Sequence, residues 1–292
     1  MNIFDGFESI VKQDCPLQDY TWYGLGGNAD YLIAPQSIEQ LQEMLKRCSE
    51  NDLAVRILGF GSNLLVSDEG VRGAVIRLEN EAFCESTFEQ ATLTAGAGAN
   101  LNKLVLESVR KGLGGLEALT GIPGSIGGAV RMNAGGRFGD FGSVIQSVTV
   151  MDEQGHLFEK SKPELVFDYR SVNITAKVIL GATIDLTESD PESLLRVVKE
   201  VWIYKKNTQP LDTHNAGCIF KNPRGLSAGA LIDRAGLKGT QVGGAIVSEK
   251  HANFFITEKG CRSSDVRQLI EQVREKVRDK FDVELELEIE LW

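Results

Sequence analysis

Between Gly112 and Gly136 the chain reads Gly112-Leu113-Gly114-Gly115-Leu116-Glu117-Ala118-Leu119-Thr120-Gly121-Ile122-Pro123-Gly124-Ser125-Ile126-Gly127-Gly128-Ala129, then Arg131-Met132-Asn133-Ala134-Gly135-Gly136. Glycine loses more backbone freedom on folding than any other residue, so a chain concentrates it where backbone must take positive φ or approach something closely. Flexible linkers of this glycine content carry Ser and other polar residues. Here the glycines alternate with Leu, Ile, Ala and Val, which argues for an ordered segment. Two readings stand side by side. One is a buried multi-turn loop packing two sheets together. The other is a cofactor cradle whose exposed N–H groups hold a polyanion or the polar edge of a ring.

The 292 residues suffice for two or three domains with a large core. A net charge of −10 argues against sequence-independent nucleic-acid binding, which wants a basic face. No apolar run reaches membrane-spanning length. Met1-Asn2-Ile3-Phe4-Asp5 lacks the basic and apolar segments of a secretion signal. The five cysteines, at 15, 48, 84, 218 and 261, are widely spaced with no C-x-x-C pair. That fits reduced thiols in a cytoplasm. Histidines 156, 214 and 251 are too scattered for a metal centre, and none is expected.

Along the chain, Ser37 opens a helix, with Gln40 completing a capping box and Ile38, Leu41, Leu45 and Cys48 on its apolar face. Val55 to Leu58 reads as a strand ending in Gly59-Phe60-Gly61-Ser62-Asn63, a turn suited to phosphate or to nothing at all. Ala74 to Leu78, Ala91 to Ala95, Val144 to Met151 and Val178 to Leu186 read as strands. Asn100 to Lys111 reads as a helix with Leu101, Leu104, Val105 and Val109 inward and Gly112 as its C′ residue. Asp190-Pro191 starts another, with a broad apolar face from Leu194, Leu195, Val197, Val198, Val201 and Trp202. Ser264 is expected to cap a last helix, with Val266, Leu269, Ile270, Val273 and Val277 inward. Val283 to Trp292 alternates strictly, as a half-buried strand with a row of carboxylates on its other face. The expected divisions are residues 1–70, 71–188 and 189–292. No G-x-G-x-x-G, no P-loop and no G-x-S-x-G occurs. A dinucleotide, if bound, takes another geometry.

Several segments taken together resemble the UDP-N-acetylenolpyruvoylglucosamine reductase family. They are Leu58-Gly59-Phe60-Gly61-Ser62-Asn63-Leu64-Leu65-Val66, Gly121 to Ala129, Met132-Asn133-Ala134-Gly135, Phe167-Asp168-Tyr169-Arg170-Ser171, Phe220-Lys221-Asn222-Pro223, Gly236-Leu237-Lys238-Gly239 and Lys250-His251-Ala252-Asn253-Phe254. They occur in the family's order and span nearly the whole chain. The short interval from Arg170 to Lys205-Lys206 resembles the shorter, type II form. The resemblance implies a mixed α/β and α+β fold. A two-part FAD-binding domain of the vanillyl-alcohol-oxidase (PCMH) type would be formed by 1–70 and 71–188. An α+β substrate-binding domain would be formed by 189–292. It implies non-covalent FAD, NADPH as co-substrate, and reduction of the enolpyruvyl ether of UDP-N-acetylglucosamine to UDP-N-acetylmuramate. A cytoplasmic monomer with no nucleic-acid or membrane partner is expected.

For the cofactor, the resemblance points to Gly59, Gly61, Ser62, Asn63, Leu64, Gly121, Ile122, Pro123, Gly124, Ser125, Gly127, Gly128, Ala129 and Asn133. For the substrate it points to Tyr169, Lys206, Asn222 and Lys250, although Lys206 is equally explained by a helix C-terminal dipole. Hydride addition to the enolpyruvyl alkene builds negative charge toward the substrate carboxylate, so a cation and an acid are required. Arg170 fits the first as a planar, permanently charged fork. Glu288 matches the family's C-terminal carboxylate through Phe281 and Val283; four glutamates alternate there, and the residues alone do not choose among them.

Cys218 stands in Gly217-Cys218-Ile219-Phe220-Lys221-Asn222-Pro223, where the family usually has Ser. One reading is a small buried hydrophobe. The other is a retained acid, since a thiol titrates near roughly 8.5 and is mostly protonated at neutral pH. Phe60 likewise stands where Gly is usual. Two alternatives remain open: a flavin oxidase or dehydrogenase of the same fold with another substrate, and a non-catalytic flavin or nucleotide-sugar binder.

Overall fold

The computed structural model describes residues 3–292; Met1 and Asn2, part of the stretch read above for a secretion signal, lie outside them. The chain forms two compact units, each assembled from separate stretches. The first takes Met1–Asp14, Asp30–Phe60 and Arg72–Ile203, and the second takes Cys15–Ala29, Gly61–Val71 and Tyr204–Trp292. Each has its own apolar core, one running from Phe4 to Val198 and the other from Tyr23 to Ile289.

Two sheets build the first unit. One orders its strands Val11–Pro16, Asn28–Ile33, Val71–Arg77 and Val55–Leu58. Its last two run parallel, with Val55 opposite Ala74 and Leu58 opposite Arg77. The other is antiparallel, in the order Leu157–Ser161, Ile145–Met151, Val178–Asp185, Thr92–Gly96 and Ser86–Glu89. Helices α1 (Ile38–Glu50), α2 (Glu81–Cys84), α3 (Leu101–Arg110) and α4 (Ile126–Arg131) belong to this unit. Ser37 caps α1 by accepting from the Gln40 N–H at 3.3 Å, but the Gln40 side chain reaches Gln36 N rather than closing the expected box on Ser37. In α3, Asn100 accepts from Lys103 N at 3.0 Å and the four expected residues are buried. Gly112 follows at φ +71, where a side chain is disfavoured.

Helix α5 (Pro191–Thr208) starts where Asp190 accepts from Ser193 N at 2.9 Å. Its apolar face is narrower than expected. Leu194, Val198 and Val201 are buried, whereas Leu195, Val197 and Trp202 are 40–46% exposed. Spacing explains this: 194, 198 and 201 share one helical stripe and the others turn away from it. Among the described residues, no helix is long and apolar enough to cross a membrane.

The second unit packs α6 (Ala228–Arg234) and α7 (Ser263–Phe281) with a three-stranded antiparallel sheet, Gln241–Val242, Ala245–Val247 and Phe255–Thr257. The α7 residues Val266, Leu269, Ile270, Val273 and Val277 are buried as expected. Its cap is not Ser264. Asp68, from a distant loop, accepts from the backbone N–H of both Ser263, at 2.8 Å, and Ser264, at 3.0 Å. Sequence proximity favours Ser264, but a carboxylate satisfies two orphan donors where a hydroxyl satisfies one. The C-terminal alternation sets burial, with Leu285 and Ile289 inside, yet only Glu290–Leu291 forms a strand, parallel to Leu64–Leu65.

Burial alone would raise the Asp68 carboxyl, but bonds from Ser264 and Ser263 and the charge of Arg262 hold it below the usual carboxylate range. Its contribution is therefore present at neutral pH and lost as pH falls through the folded-state value. Asp68→Ala is expected to cost about 1 kcal/mol at neutral pH, with the deficit shrinking toward about pH 3. Urea midpoints of both proteins at the two pH values check this; a pH-independent difference would remove the carboxylate cap.

Candidate active site

In the first unit, the parallel strands Val55–Leu58 and Val71–Arg77 end at one edge because Leu58 is in register with Arg77. Ligands of open α/β sheets sit outside the carboxyl ends of strands. A cavity of about 430 Å³ lies at this edge, lined by Leu58, Gly59, Phe60, Arg77, Leu78 and Glu79, by Ala97 to Asn100, and by Ser125, Gly127 and Gly128. Close backbone approach shapes it. A Cβ on Gly98 would strike the Leu78 carbonyl oxygen and lie 2.7 Å from Cys84 Sγ, and one on Gly127 would lie 2.9 Å from Ala97 Cβ. Ser125 Oγ accepts from Gly128 N at 3.3 Å, which caps the glycine-rich start of α4.

Lys103, Arg131 and Lys177 join Arg77 on the lining, against Glu79. Arg77 pairs with Glu79 at 2.6 Å, and Arg131 spends its guanidinium on the carbonyls of Ile174 and Ala176. Lys177 pairs with Glu153 at 3.6 Å, and the four cations against one carboxylate on the lining still leave it positive, suited to a phosphate-bearing ligand.

Arg170 lies elsewhere in this unit, in a two-residue turn between Phe167–Asp168 and Ser171–Val172. Its φ of +58 is unusual for a residue with a side chain. The guanidinium stacks over the Tyr169 ring, 5.0 Å from its centroid, and Tyr169 is 45% exposed. Neighbouring Asp168 accepts from Tyr169 N through its carboxylate.

Cys218 and Glu288 belong to the second unit, on adjacent antiparallel segments. Glu288 N donates to Ile219 O at 2.8 Å, Phe220 bridges Leu287, and Lys221 N donates to Glu286 O at 2.8 Å. Asn63 Nδ2 donates to Glu288 O at 3.0 Å from a third segment. Glu284, Glu286 and Glu290 are exposed whereas Glu288 is half-buried, which singles it out among the alternating carboxylates. Cys218 is half-buried and in no disulfide. Its strand is held by Asn253, 2% exposed, whose amide accepts from Phe220 N at 3.0 Å and donates to Phe220 O at 2.8 Å. The Asn253 N–H in turn donates to His251 Nδ1 at 3.2 Å, which needs the neutral ring. Burial, aided by the charge of Lys238, holds His251 below the usual histidine value.

Residues 209–292 match the family model described as UDP-N-acetylenolpyruvoylglucosamine reductase, C-terminal domain, and residues 29–161 match one described as FAD binding domain. The reductase of Syntrophus aciditrophicus is 40% identical over 268 residues, covering 90% of this chain and 86% of that protein. The Bacillus subtilis reductase is 38% identical over 262 residues, covering 89% and 86%. The crystal structure of the Thermus caldophilus reductase superposes with a TM-score of 0.83 at 40% identity, covering 97% of this chain and 98% of that one. The chain belongs to the UDP-N-acetylenolpyruvoylglucosamine reductase family. Its fold is accordingly an FAD-binding domain followed by the family's C-terminal domain, and FAD is its cofactor.

The first-unit cavity fits part of such a cofactor: its glycines leave backbone open and its rim is basic. Of the residues expected at the cofactor, Gly59, Ser125, Gly127 and Gly128 line this cavity together. Gly121 to Gly124 do not line it. Asn102 of α3 ties them down, accepting from Gly121 N at 2.9 Å and donating to Ile122 O at 3.0 Å. Ala129 and Asn133 are buried. Gly61, Ser62, Asn63 and Leu64 belong to the second unit, where Leu64 pairs with Glu290. Lys206 and Lys250 meet there, Lys250 Nζ donating to Lys206 O at 2.6 Å, while Asn222 Oδ1 accepts from Ala228 N at the start of α6. Sequence reasoning missed Arg77, Lys103 and Lys177. The signal available was Gly96-Ala97-Gly98-Ala99-Asn100, a second glycine-rich strand end.

A Cβ on Gly128 would meet only Ser125 Oγ, at an ordinary 3.5 Å. Gly128→Ala is expected to leave the apoprotein as stable or up to about 1 kcal/mol more so, because alanine favours helix. Crowding the cradle is expected to weaken FAD binding about tenfold. Thermal melts of apoprotein and flavin titration check the pair; unchanged affinity would move the cofactor away from α4. For His251, whose folded value is depressed, stability is complete above roughly pH 6.5 and declines below it. His251→Asn keeps an acceptor for Asn253 N and is expected to flatten that acid decline, as melting temperatures from about pH 7.5 to 5.5 will show.

Proposed function

We propose that this chain reduces UDP-N-acetylenolpyruvoylglucosamine to UDP-N-acetylmuramate, with NADPH as the reductant, in the assembly of peptidoglycan precursors. The observation that carries this reading is similarity to reductases of that name over about nine-tenths of the chain and most of theirs. In the same reading the segments 1–70 and 71–188 serve the flavin and 189–292 the nucleotide sugar, in a cytoplasmic monomer.

FAD, when bound, would supply hydride chemistry drawn from NADPH, and the hydride would be added to the alkene carbon remote from the substrate carboxylate. Charge then moves toward that carboxylate, and Arg170 holds it, because a guanidinium fork stays charged and grips both oxygens. The Cys218 thiol gives its proton to the carbon bearing the ether oxygen and recovers one from solvent, so the double bond gains one hydride and one proton. Glu288, held beside Ile219, assists this proton delivery or charge stabilisation. Tyr169 packs against the Arg170 guanidinium and limits its directions. Lys206, Asn222 and Lys250 bind the nucleotide-sugar portion.

Anaerobic half-reactions test the assignment. Cys218→Ala is expected to bleach normally with NADPH but recolour with the enolpyruvyl substrate about 100-fold or more slowly, the loss of a general acid. Cys218→Ser is expected to retain much of the activity. Equal recolouring by wild type and Cys218→Ala removes Cys218 from the mechanism. A wild-type flavin that bleaches and never recolours favours the non-catalytic reading.

A further inference from the structure

The turn that presents Arg170 closes a short hairpin. Its strands contribute only two residue pairs, Phe167 with Val172 and Asp168 with Ser171. A two-stranded hairpin is marginal alone in water. Arg170 also sits at φ +58, a left-handed conformation that surrounding contacts must offset. Asn173 ties the base of the hairpin, its N–H donating to Val166 O and its side chain accepting from Val166 N and donating to Glu164 O, and a further tie comes from outside the hairpin.

Asn133, 4% exposed, follows α4 at φ +39. Both ends of its amide are occupied within the protein. Nδ2 donates to the carbonyl of Asp168, the residue before the Tyr169–Arg170 turn, at 3.0 Å. Oδ1 accepts from Gly142 N at 2.9 Å. Gly142 itself lies so close to Phe167 that an added Cβ would collide with that ring. One side chain thus joins the end of α4, the segment at Gly142 and the base of the Arg170 hairpin. One N–H and the carbonyl oxygen of this 4% exposed amide are thus committed to the backbone.

We propose that Asn133 is a positioning residue that fixes the Arg170 turn for the substrate carboxylate, rather than a cofactor contact through its side chain. The proposal rests on the role given to Arg170 above. Asn133→Ala removes both bonds; Asn133→Asp keeps the acceptor for Gly142 and removes only the donor to Asp168.

Holoenzyme variants are compared in two anaerobic half-reactions, each in wild-type and Arg170→Ala backgrounds. Asn133→Ala and Asn133→Asp are expected to retain flavin and to be reduced by NADPH within about threefold of wild type. Recolouring by the enolpyruvyl substrate is expected to slow about tenfold or more, the scale of a misplaced reacting group. In the Arg170→Ala background the same substitutions are expected to add less than about twofold, since coupled residues are not additive. Flavin-spectrum titrations supply a second readout: affinity for the enolpyruvyl substrate falls, while affinity for UDP-N-acetylglucosamine, which lacks the carboxylate, is unchanged.

Additive slowing in both backgrounds, flavin loss in both Asn133 variants, or equal loss of affinity for the two nucleotide sugars overturns the proposal. If Arg170→Ala slows recolouring and neither Asn133 variant does, Asn133 alone is discarded. If Arg170→Ala recolours normally, the Arg170 reading fails and this proposal with it.

Discussion

Backbone that leaves regular secondary structure while buried must still pair its N–H and C=O groups, and that constraint governs this protein. The segments that carry its chemistry are short turns and broken strands, so ladders cannot satisfy them. Asparagine side chains do so instead. Asn102 closes Gly121 and Ile122, Asn133 joins Gly142 to Asp168, and Asn253 makes both bonds to Phe220. A primary amide offers donor and acceptor at once, so it substitutes for the peptide neighbour that a strand would have supplied. Each such amide is also high-stakes, because removing it takes a partner from two backbone groups at once.

The regular elements were legible because their signals are local. Helix α3 announces itself through Asn100, four apolar residues at helical spacing and Gly112, and the structure places all of them as those signals require. Strand Val55–Leu58 matches its expected limits. Signals failed where a partner distant in sequence decides. The α7 cap comes from Asp68, nearly two hundred residues earlier, so no window around Ser264 contains it. The C-terminal alternation correctly separates inside from outside but says nothing of ladder length, which depends on edges as short as Leu64–Leu65. The six apolar residues of α5 surround the helix more widely than the stripe that is buried.

Discontinuity explains another part of what remained hidden. Residues 15–29 and 61–71 join the C-terminal stretch in one unit. The Gly59-Phe60-Gly61 turn marks one crossing, but neither composition nor Gly/Pro punctuation marks the others, where strands such as Val71–Arg77 run straight through. Within that unit the four alternating glutamates, indistinguishable as text, separate by exposure. Glu288 alone of the four is half-buried, and its backbone is bonded to Ile219 and to Asn63. The resemblance through Phe281 and Val283 points to the residue that differs from the other three in exposure.

The glycine-rich stretch that constrains the chain most strongly answers both readings first set against each other. Gly127 and Gly128 line a cavity with a basic rim, as a cradle requires. Gly121 and Ile122 are bonded to Asn102, and Asn133 is bonded to the carbonyl of Asp168. Shared motif membership therefore does not imply shared contact with a ligand. Some of these residues are suited to touching the cofactor and others to holding the residues that do. The distinction follows from where each polar group finds its partner: a group paired inside the protein is a support, and a backbone opened by glycine toward a cavity is a surface for something else to meet.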